Sequence, residues 1–202
     1  MARYGMSVDV VRCIGCQACL VACKTENQVA DGVYRLRIRT TVVGTYPKLV
    51  GEFRVEQCFH CENAPCTAVC PTGATFRSPD GIVLVDQAKC IGCKACVTSC
   101  PYSMRFVNPD GHAEKCTFCQ HRVAQGDVPA CVETCPTGAR AFGDLDDPKS
   151  KVSQAIAAAK TVGVIRPETG AKPKLFYLNS RFTNKPEERG TVTLQSAMRG
   201  GE

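Results

Sequence analysis

The sequence predicts an α+β fold built of two small interlocked units and a C-terminal extension. Three observations lead there. Sixteen cysteines in 202 residues fall into four groups of four with none left over. Short β-prone stretches around Pro-Asp-Gly turns separate the later groups. Beyond Phe142 the cysteines stop and the composition changes.

Taken in order, Cys13, Cys16, Cys19 and Cys23 follow the spacing C-x2-C-x2-C-x3-C. Cys19 and Cys23 are then about one helical turn apart, which predicts a helix through them. Cys58, Cys61, Cys66 and Cys70 open the middle gap of that spacing to four residues. Thr75 to Asp86 carries Pro79-Asp80-Gly81 between β-prone residues and predicts a hairpin. Cys90, Cys93, Cys96 and Cys100 repeat the first spacing, and Asn108-Pro109-Asp110-Gly111 predicts a second hairpin before the last group. There, in Cys116, Cys119, Cys131 and Cys135, the middle gap widens to eleven residues. Cys70-Pro-Thr-Gly-Ala recurs as Cys135-Pro-Thr-Gly-Ala, and Pro101 follows Cys100, whereas Lys24 follows Cys23. The whole reads as an internal repeat with insertions at one place in the unit.

In the extension, Asp146 to Pro148 marks a helix start, and Lys151 to Lys160, rich in Ala, Ile and Lys, predicts one short helix. From Arg166 the chain is irregular, with an apolar patch at Leu175-Phe176-Tyr177-Leu178 that suits a tail wrapping its own domain or a neighbour. Residues from Glu188 onward are polar and Gly-rich, a composition expected to be flexible in isolation.

A hydrophobic content of 44% is that of a globular chain, but no Trp, 6% aromatic residues and 12 Pro leave little for an apolar core. The cysteines must supply the missing cross-links. No run of 18 apolar residues occurs, so no membrane span is expected, and Met1 to Val10 lacks the pattern of an export signal.

Spacing decides what the cysteines bind. In C-x2-C-x2-C-x3-C three thiolates lie on a tight loop that can reach three irons of one cube, and the fourth points away toward another. Structural zinc sites pair two C-x2-C knuckles across a longer loop, which only the last group resembles. Disulfides between neighbouring C-x2-C cysteines would make a row of small strained loops. Four 4Fe-4S clusters are therefore expected. Each cube with its thiolates carries about −2, which turns the formal charge of +6 into roughly −2. The basic excess then compensates buried anions, and no Lys/Arg stripe with interleaved aromatics argues for nucleic acid.

Each cube needs three thiolates from one group and one from a partner group. The stretch from Cys70 to Cys90 resembles the short connection of a two-cluster ferredoxin, which pairs the second group with the third and leaves the first with the fourth. The expected ligand sets are Cys13, Cys16, Cys19 and Cys135 for cluster one; Cys90, Cys93, Cys96 and Cys70 for cluster two; Cys58, Cys61, Cys66 and Cys100 for cluster three; and Cys116, Cys119, Cys131 and Cys23 for cluster four. The first ferredoxin-like unit then covers residues 1–50 and 110–145, the inserted second unit residues 51–109, and the extension residues 146–202.

Irons fully ligated by cysteine offer no open position for a substrate, so the pattern points to electron transport without catalysis. His60, His112 and His121 read as surface or packing residues, with His60, between Cys58 and Cys61, the best case for a role toward sulfur. Lys24 either favours the reduced form of a neighbouring cube or is simply solvated. Tyr102 and Phe118 either shield sulfur from water or merely pack.

Several longer stretches carry a further likeness: Cys23-Lys-Thr-Glu-Asn, Glu56-Gln-Cys-x-His-Cys-Glu-Asn-x-Pro-Cys, Lys115-Cys-Thr-Phe-Cys-x-His-Arg, Pro129-Ala-Cys-Val-Glu-Thr-Cys-Pro, Phe142-Gly-Asp-Leu-Asp-Asp-Pro and Lys172-Pro-Lys-Leu-Phe-Tyr-Leu. From about Met6 to Leu178 the chain resembles the four-cluster iron-sulfur subunits of the dimethyl sulfoxide reductase family of molybdopterin oxidoreductases, most of all the polysulfide or thiosulfate reductase B subunits. The resemblance implies a catalytic partner holding a molybdenum or tungsten bis-pterin cofactor, and a multi-helix membrane subunit that exchanges electrons with quinone. It also implies a site on the periplasmic face of the membrane, reached with an exported partner; the cytoplasmic face is the alternative. Nitrate-reductase-like relatives replace one ligand by Trp, which this chain lacks. Formate-dehydrogenase-like relatives often end in a membrane helix, and arsenate-reductase-like ones tend to a longer segment between the third and fourth groups. The competing classes are a free-standing polyferredoxin shuttle and a zinc-stabilised interaction module.

Overall fold

The computed structural model describes residues 2–181, residue 183 and residues 192–195. The chain opens on strand β1 (Tyr4–Asp9), in which Gly5 to Val8 are all buried. A strand buried on both faces must be central, and β1 is: it later pairs with two segments from the far end of the chain. Helix α1 (Ala18–Glu26) carries Cys19 and Cys23 one turn apart, as the spacing requires.

A long hairpin follows, β2 (Leu36–Thr45) with β3 (Lys48–Gln57), in register from Leu36 opposite Gln57 to Thr45 opposite Lys48. The cysteine pattern gave no sign of it. Its base alternates as a half-buried strand should, with Leu36 and Ile38 inward between Arg37 and Arg39. The expected unit boundary at residue 50 falls inside β3, where a closed hairpin cannot be divided.

Helix α2 (Pro65–Ala68) precedes the hairpin of β4 (Thr75–Arg77) and β5 (Val83–Val85), and α3 (Ala95–Thr98) precedes that of β6 (Phe106–Val107) and β7 (Ala113–Glu114). Both hairpins turn where the Pro-Asp-Gly motifs stand. Then come α4 (Gln120–Val123), α5 (Ala130–Glu133) and β8 (Arg140–Asp144). Helix α1 packs on α5, and α2 on α3, so the short helices pair first group with fourth and second with third. The architecture is α+β, with two ferredoxin-like units and several small sheets.

Helix α6 (Lys151–Ala158) begins later than the Asp146–Pro148 start that the sequence suggests. The Asp147 carboxylate is taken by the Lys149 amide at 2.8 Å in a turn, and Ser150 caps the helix instead, accepting from the Ser153 amide at 3.2 Å. Losing such a cap costs about 1 kcal/mol. Ser150→Ala is therefore expected to lower the thermal midpoint of the iron-loaded protein by about 2–4 °C, with Ser150→Thr close to the original in the same melt.

Strands β9 (Val162–Gly163) and β10 (Leu175–Leu178) complete a four-stranded sheet in the order β8-β1-β10-β9. The apolar patch at Leu175–Leu178 is thus a core strand running parallel to β1, Met6 opposite Leu175. The Tyr177 hydroxyl donates to the Val55 carbonyl at 2.9 Å and ties this sheet to the long hairpin. Strand β11 (Val192–Gln195) lies antiparallel along the outer edge of β2. The extension wraps its own domain through these strands, and the rest of the stretch expected to be flexible lies outside the described residues. Among the described residues no helix is long and apolar enough to cross a membrane.

Candidate metal centres

Each cysteine group is a loop bent by left-handed residues and followed by a short helix. In the first group Gly15 (φ 68°) and Gln17 (φ 65°) turn the chain into α1; in the third Gly92 (φ 67°) and Lys94 (φ 63°) turn it into α3 in the same manner. His60 (φ 44°) does this in the second group, and Phe118 (φ 54°) with Cys119 (φ 50°) in the fourth. Such turns aim backbone N–H groups inward and make a concavity suited to an anion. Several already donate to sulfur: Thr75 N to Cys70 Sγ at 3.3 Å, Ala113 N to Cys90 Sγ at 3.4 Å and Phe118 N to Cys116 Sγ at 3.4 Å. The repeated Cys-Pro-Thr motif has its own reason, because the Thr72 hydroxyl lies 3.8 Å from Cys70 Sγ and the Thr137 hydroxyl 3.7 Å from Cys135 Sγ.

The thiols gather as follows. Cys13 and Cys19 interact electrostatically with Cys16 and Cys135. Cys23 does so with Cys119 and Cys131, and Cys116 with Cys23 and Cys131. Cys61 faces Cys58, Cys66 and Cys100. Helix α2, which carries Cys66, packs on α3, which carries Cys96. Among the described residues no three His, Cys, Asp or Glu side chains close on a single ion. Thiolates that each bind a different iron of a cube stand farther apart than those around one zinc.

Burial pushes the thiols of Cys116 and Cys131 up, and that of Cys23 up to about 12. Burial also opposes ionisation of Cys70, but hydrogen bonds from Thr75 and Thr72 outweigh it and bring that thiol down to about 7.

Three buried cations test whether the pockets suit an anionic cofactor. Arg140 Nη2 donates to Cys131 Sγ at 3.3 Å, to Met6 Sδ at 2.9 Å and to Gln57 Oε1. Among the described residues its Nε and Nη1 have no hydrogen-bond partner, nor have Nε and Nη2 of Arg105. Lys115 Nζ reaches only carbonyls, those of Val83 and Cys116. None of the three pairs with a carboxylate among the described residues. An unpaired buried charge is costly, and the thiolates of Cys131, Cys19, Cys116 and Cys135 outweigh the burial of Arg140 and favour its charged form. The donor set fits a dianionic cube held by thiolates.

Of the other candidates, His60 is fully buried, accepts from the Val83 amide at 3.1 Å and stacks on Phe118 with ring centroids 3.7 Å apart. Burial first, then Lys115, Lys174 and Arg105, hold its pKa well below the usual histidine range. It is a neutral packing element. His112 closes the β6–β7 turn through its backbone, and His121 meets Glu26 at 2.7 Å on the surface. Lys24 is not simply solvated: its ammonium binds the carbonyls of Val29 and Ala30 at 3.1 and 2.7 Å and lies over the Tyr34 ring. Tyr102 stacks on Phe59 at 4.1 Å, and Phe118 meets Phe142 edge-on.

The sequence reading missed Arg140, Arg105, Lys115 and Asn27, whose amide lies 3.6 Å from Cys119 Sγ. Two of them had a signal. Arg105 and Arg140 each stand five residues after the last cysteine of their group, behind Cys100-Pro and Cys135-Pro.

Residues 49–145 match a 4Fe-4S dicluster domain, and residues 12–74 match a second model of that description. The polysulfide reductase B polypeptide of Wolinella succinogenes is 43% identical over 196 residues, spanning 94% of this chain and 97% of the relative. The chain belongs to the iron-sulfur B subunits of the dimethyl sulfoxide reductase family. The tetrathionate reductase B polypeptide of Salmonella typhimurium is 45% identical across 87% of this chain and 72% of its own. Arsenate respiratory reductase iron-sulfur subunit ArrB of Shewanella is 36% identical across 88% and 97%. As a B subunit of this family the chain is an electron-transfer component of a reductase complex. Its cofactors are 4Fe-4S clusters, and sixteen cysteines supply the ligands of four.

Proposed function

We propose that this B subunit passes single electrons between a molybdenum or tungsten bis-pterin catalytic subunit and a quinone-interacting membrane subunit of a polysulfide- or thiosulfate-type reductase, at the periplasmic face, with no catalytic site of its own. When bound, each cube supplies a one-electron centre. The observation that carries the reading is that the thiol sets follow one another from surface to surface. Cys131 interacts with Cys19, and Cys116 with Cys58, while α2 packs on α3, which supports the order one, four, three, two. At the two ends Cys16 and Cys93 are exposed, each beside an exposed isoleucine, Ile14 (59%) and Ile91 (67%). Apolar side chains around an end ligand suit a partner that must come close and exclude water. Copurification with a pterin-containing chain and an integral membrane chain is the expected result, and a free monomer would overturn the reading.

The ligand pairing is part of the proposal, with Cys135 completing the set of Cys13, Cys16 and Cys19, Cys23 that of Cys116, Cys119 and Cys131, Cys100 that of Cys58, Cys61 and Cys66, and Cys70 that of Cys90, Cys93 and Cys96. The first and fourth groups form one unit and the second and third the inserted one, the long hairpin joining them. Cys135→Ser and Cys13→Ser are then expected to remove or convert the same cube in reduced-state electron spin resonance. Different lost signals would refute the pairing.

A further inference from the structure

We infer that Arg140, Lys115 and Arg105 set the reduction potentials along the chain of cubes, one cation standing between each successive pair and acting on both. This rests on the four-cube reading and ligand sets above and goes beyond them by assigning residues that ligate nothing.

The positions carry the argument. Arg140 acts on Cys13, Cys19 and Cys135 of cluster one and on Cys23, Cys116 and Cys131 of cluster four. Burial lowers the pKa of Lys115, and the thiolates of Cys58 and Cys66 of cluster three and of Cys116 of cluster four, whose carbonyl its ammonium meets at 2.8 Å, act to keep its charge. Arg105 acts on Cys58 and Cys66 of cluster three and on Cys96 of cluster two, with its Nη1 held by the Thr75 hydroxyl at 3.1 Å. Three cations therefore interleave with four thiolate sets. Their side chains belong to residues only 5%, 1% and 6% exposed for Arg140, Lys115 and Arg105, so solvent does little to screen them.

The two arginines are equivalents in an internal repeat. Each follows the last cysteine of its group by five residues; that cysteine belongs to one cube of its unit while the arginine acts on a ligand of the other, Arg140 through a hydrogen bond to Cys131 and Arg105 on Cys96. The second group has Thr75 at the corresponding position, and its hydroxyl receives Arg105 Nη1 at 3.1 Å. Lys115 immediately precedes the first cysteine of its group, as Arg12 and Lys89 do in theirs, but it is buried where those two are exposed.

A cube that gains an electron goes from about −2 to about −3. A fixed cation beside it favours that change, and one shared by two cubes also weakens the repulsion between neighbours reduced together. Arginine keeps its charge at any ordinary pH, so the effect is a constant bias. Gln57 Oε1, which accepts from Arg140 Nη2, and Thr75, which accepts from Arg105, orient the guanidinium groups.

The test is an anaerobic potentiometric titration of the iron-loaded full chain, followed by electron spin resonance, with signals assigned from the cysteine variants. Arg140→Gln is expected to disfavour reduction of clusters one and four about tenfold or more, about 60 mV at 59 mV per decade for one electron, and to leave cluster two within twofold. Arg105→Gln moves clusters three and two, and Lys115→Gln clusters four and three. Arg140→Lys restores most of the shift. Should Arg140→Gln fail to take up iron, Arg105→Gln reads the same prediction on the other pair. Unmoved midpoints in variants holding about sixteen irons would overturn the inference and leave the electron-transfer reading intact. Absence of cubes from the unaltered protein would overturn the reading itself.

Discussion

Removing the iron is expected to unfold the cysteine-rich part of the protein, roughly residues 10–140, and not merely to bleach it. Without metal the most buried thiols, Cys116, Cys131 and Cys23, are protonated at neutral pH, because burial raises all three above the usual thiol value. Arg140, Arg105 and Lys115 then face neutral sulfur, with no carboxylate among the described residues to replace it. Arg140 and Arg105 keep their charge, and a buried charge stripped of its partner costs about 3–5 kcal/mol, so the two together approach the whole stability of an ordinary domain, about 5–15 kcal/mol. The helices that hold the third cysteine of the later groups, four residues each in α2, α3 and α5, are too short to persist alone. The check is far-ultraviolet circular dichroism and limited proteolysis before and after anaerobic chelation. Wholesale cleavage is expected, and a protease-resistant iron-free chain with native dichroism would show that the apolar core suffices. Reconstitution carries the matching pH dependence: ligand thiols must lose protons to bind metal, so iron uptake is expected to strengthen as pH rises.

The same physics explains what could be read from the sequence. The 4Fe-4S cofactor was legible because a cube imposes its spacing on the cysteines, and both short hairpins because Pro79-Asp80-Gly81 and Pro109-Asp110-Gly111 have few other uses. The central sheet was not legible. Strand β1 pairs with residues more than 160 positions away, Met6 with Leu175, and a two-sided buried strand shows no alternation to betray it. The long hairpin did leave alternation at Leu36 and Ile38, but the cysteine groups on either side drew the boundary at residue 50. Ser150 could displace the expected helix start because two candidate caps stood close together and only the fold decides which carboxylate or hydroxyl is free. The buried cations were obscured by the charge balance itself: a net basic chain shows how much positive charge the cubes require, not which residues provide it.

Gly92→Ala is expected to cost the protein one cube. Gly92 sits between two ligands, Cys90 and Cys93, in the loop of the third group, at φ 67°, where any side chain costs about 1–2 kcal/mol. A methyl group there would also press into the Gly111 carbonyl oxygen, within the distance that real Cβ atoms never reach. Gly111 belongs to the β6–β7 turn, whose Ala113 amide donates to Cys90 Sγ at 3.4 Å, so yielding on either side disturbs a ligand of the same set. Gly73 provides the control, because it has almost the same φ, 66°, follows Cys70 of the neighbouring group and has nothing within 4 Å of where its Cβ would lie. Gly73→Ala therefore carries the backbone strain alone, about 1–2 kcal/mol, and is expected to lower the thermal midpoint by several degrees while keeping about sixteen irons per chain. Gly92→Ala should fall to about twelve, with loss of the same spin-resonance signal that Cys93→Ser removes. Equal iron in the two variants would mean that the loop gives way without moving its sulfurs, and that the Gly111 carbonyl is not what holds this site in shape.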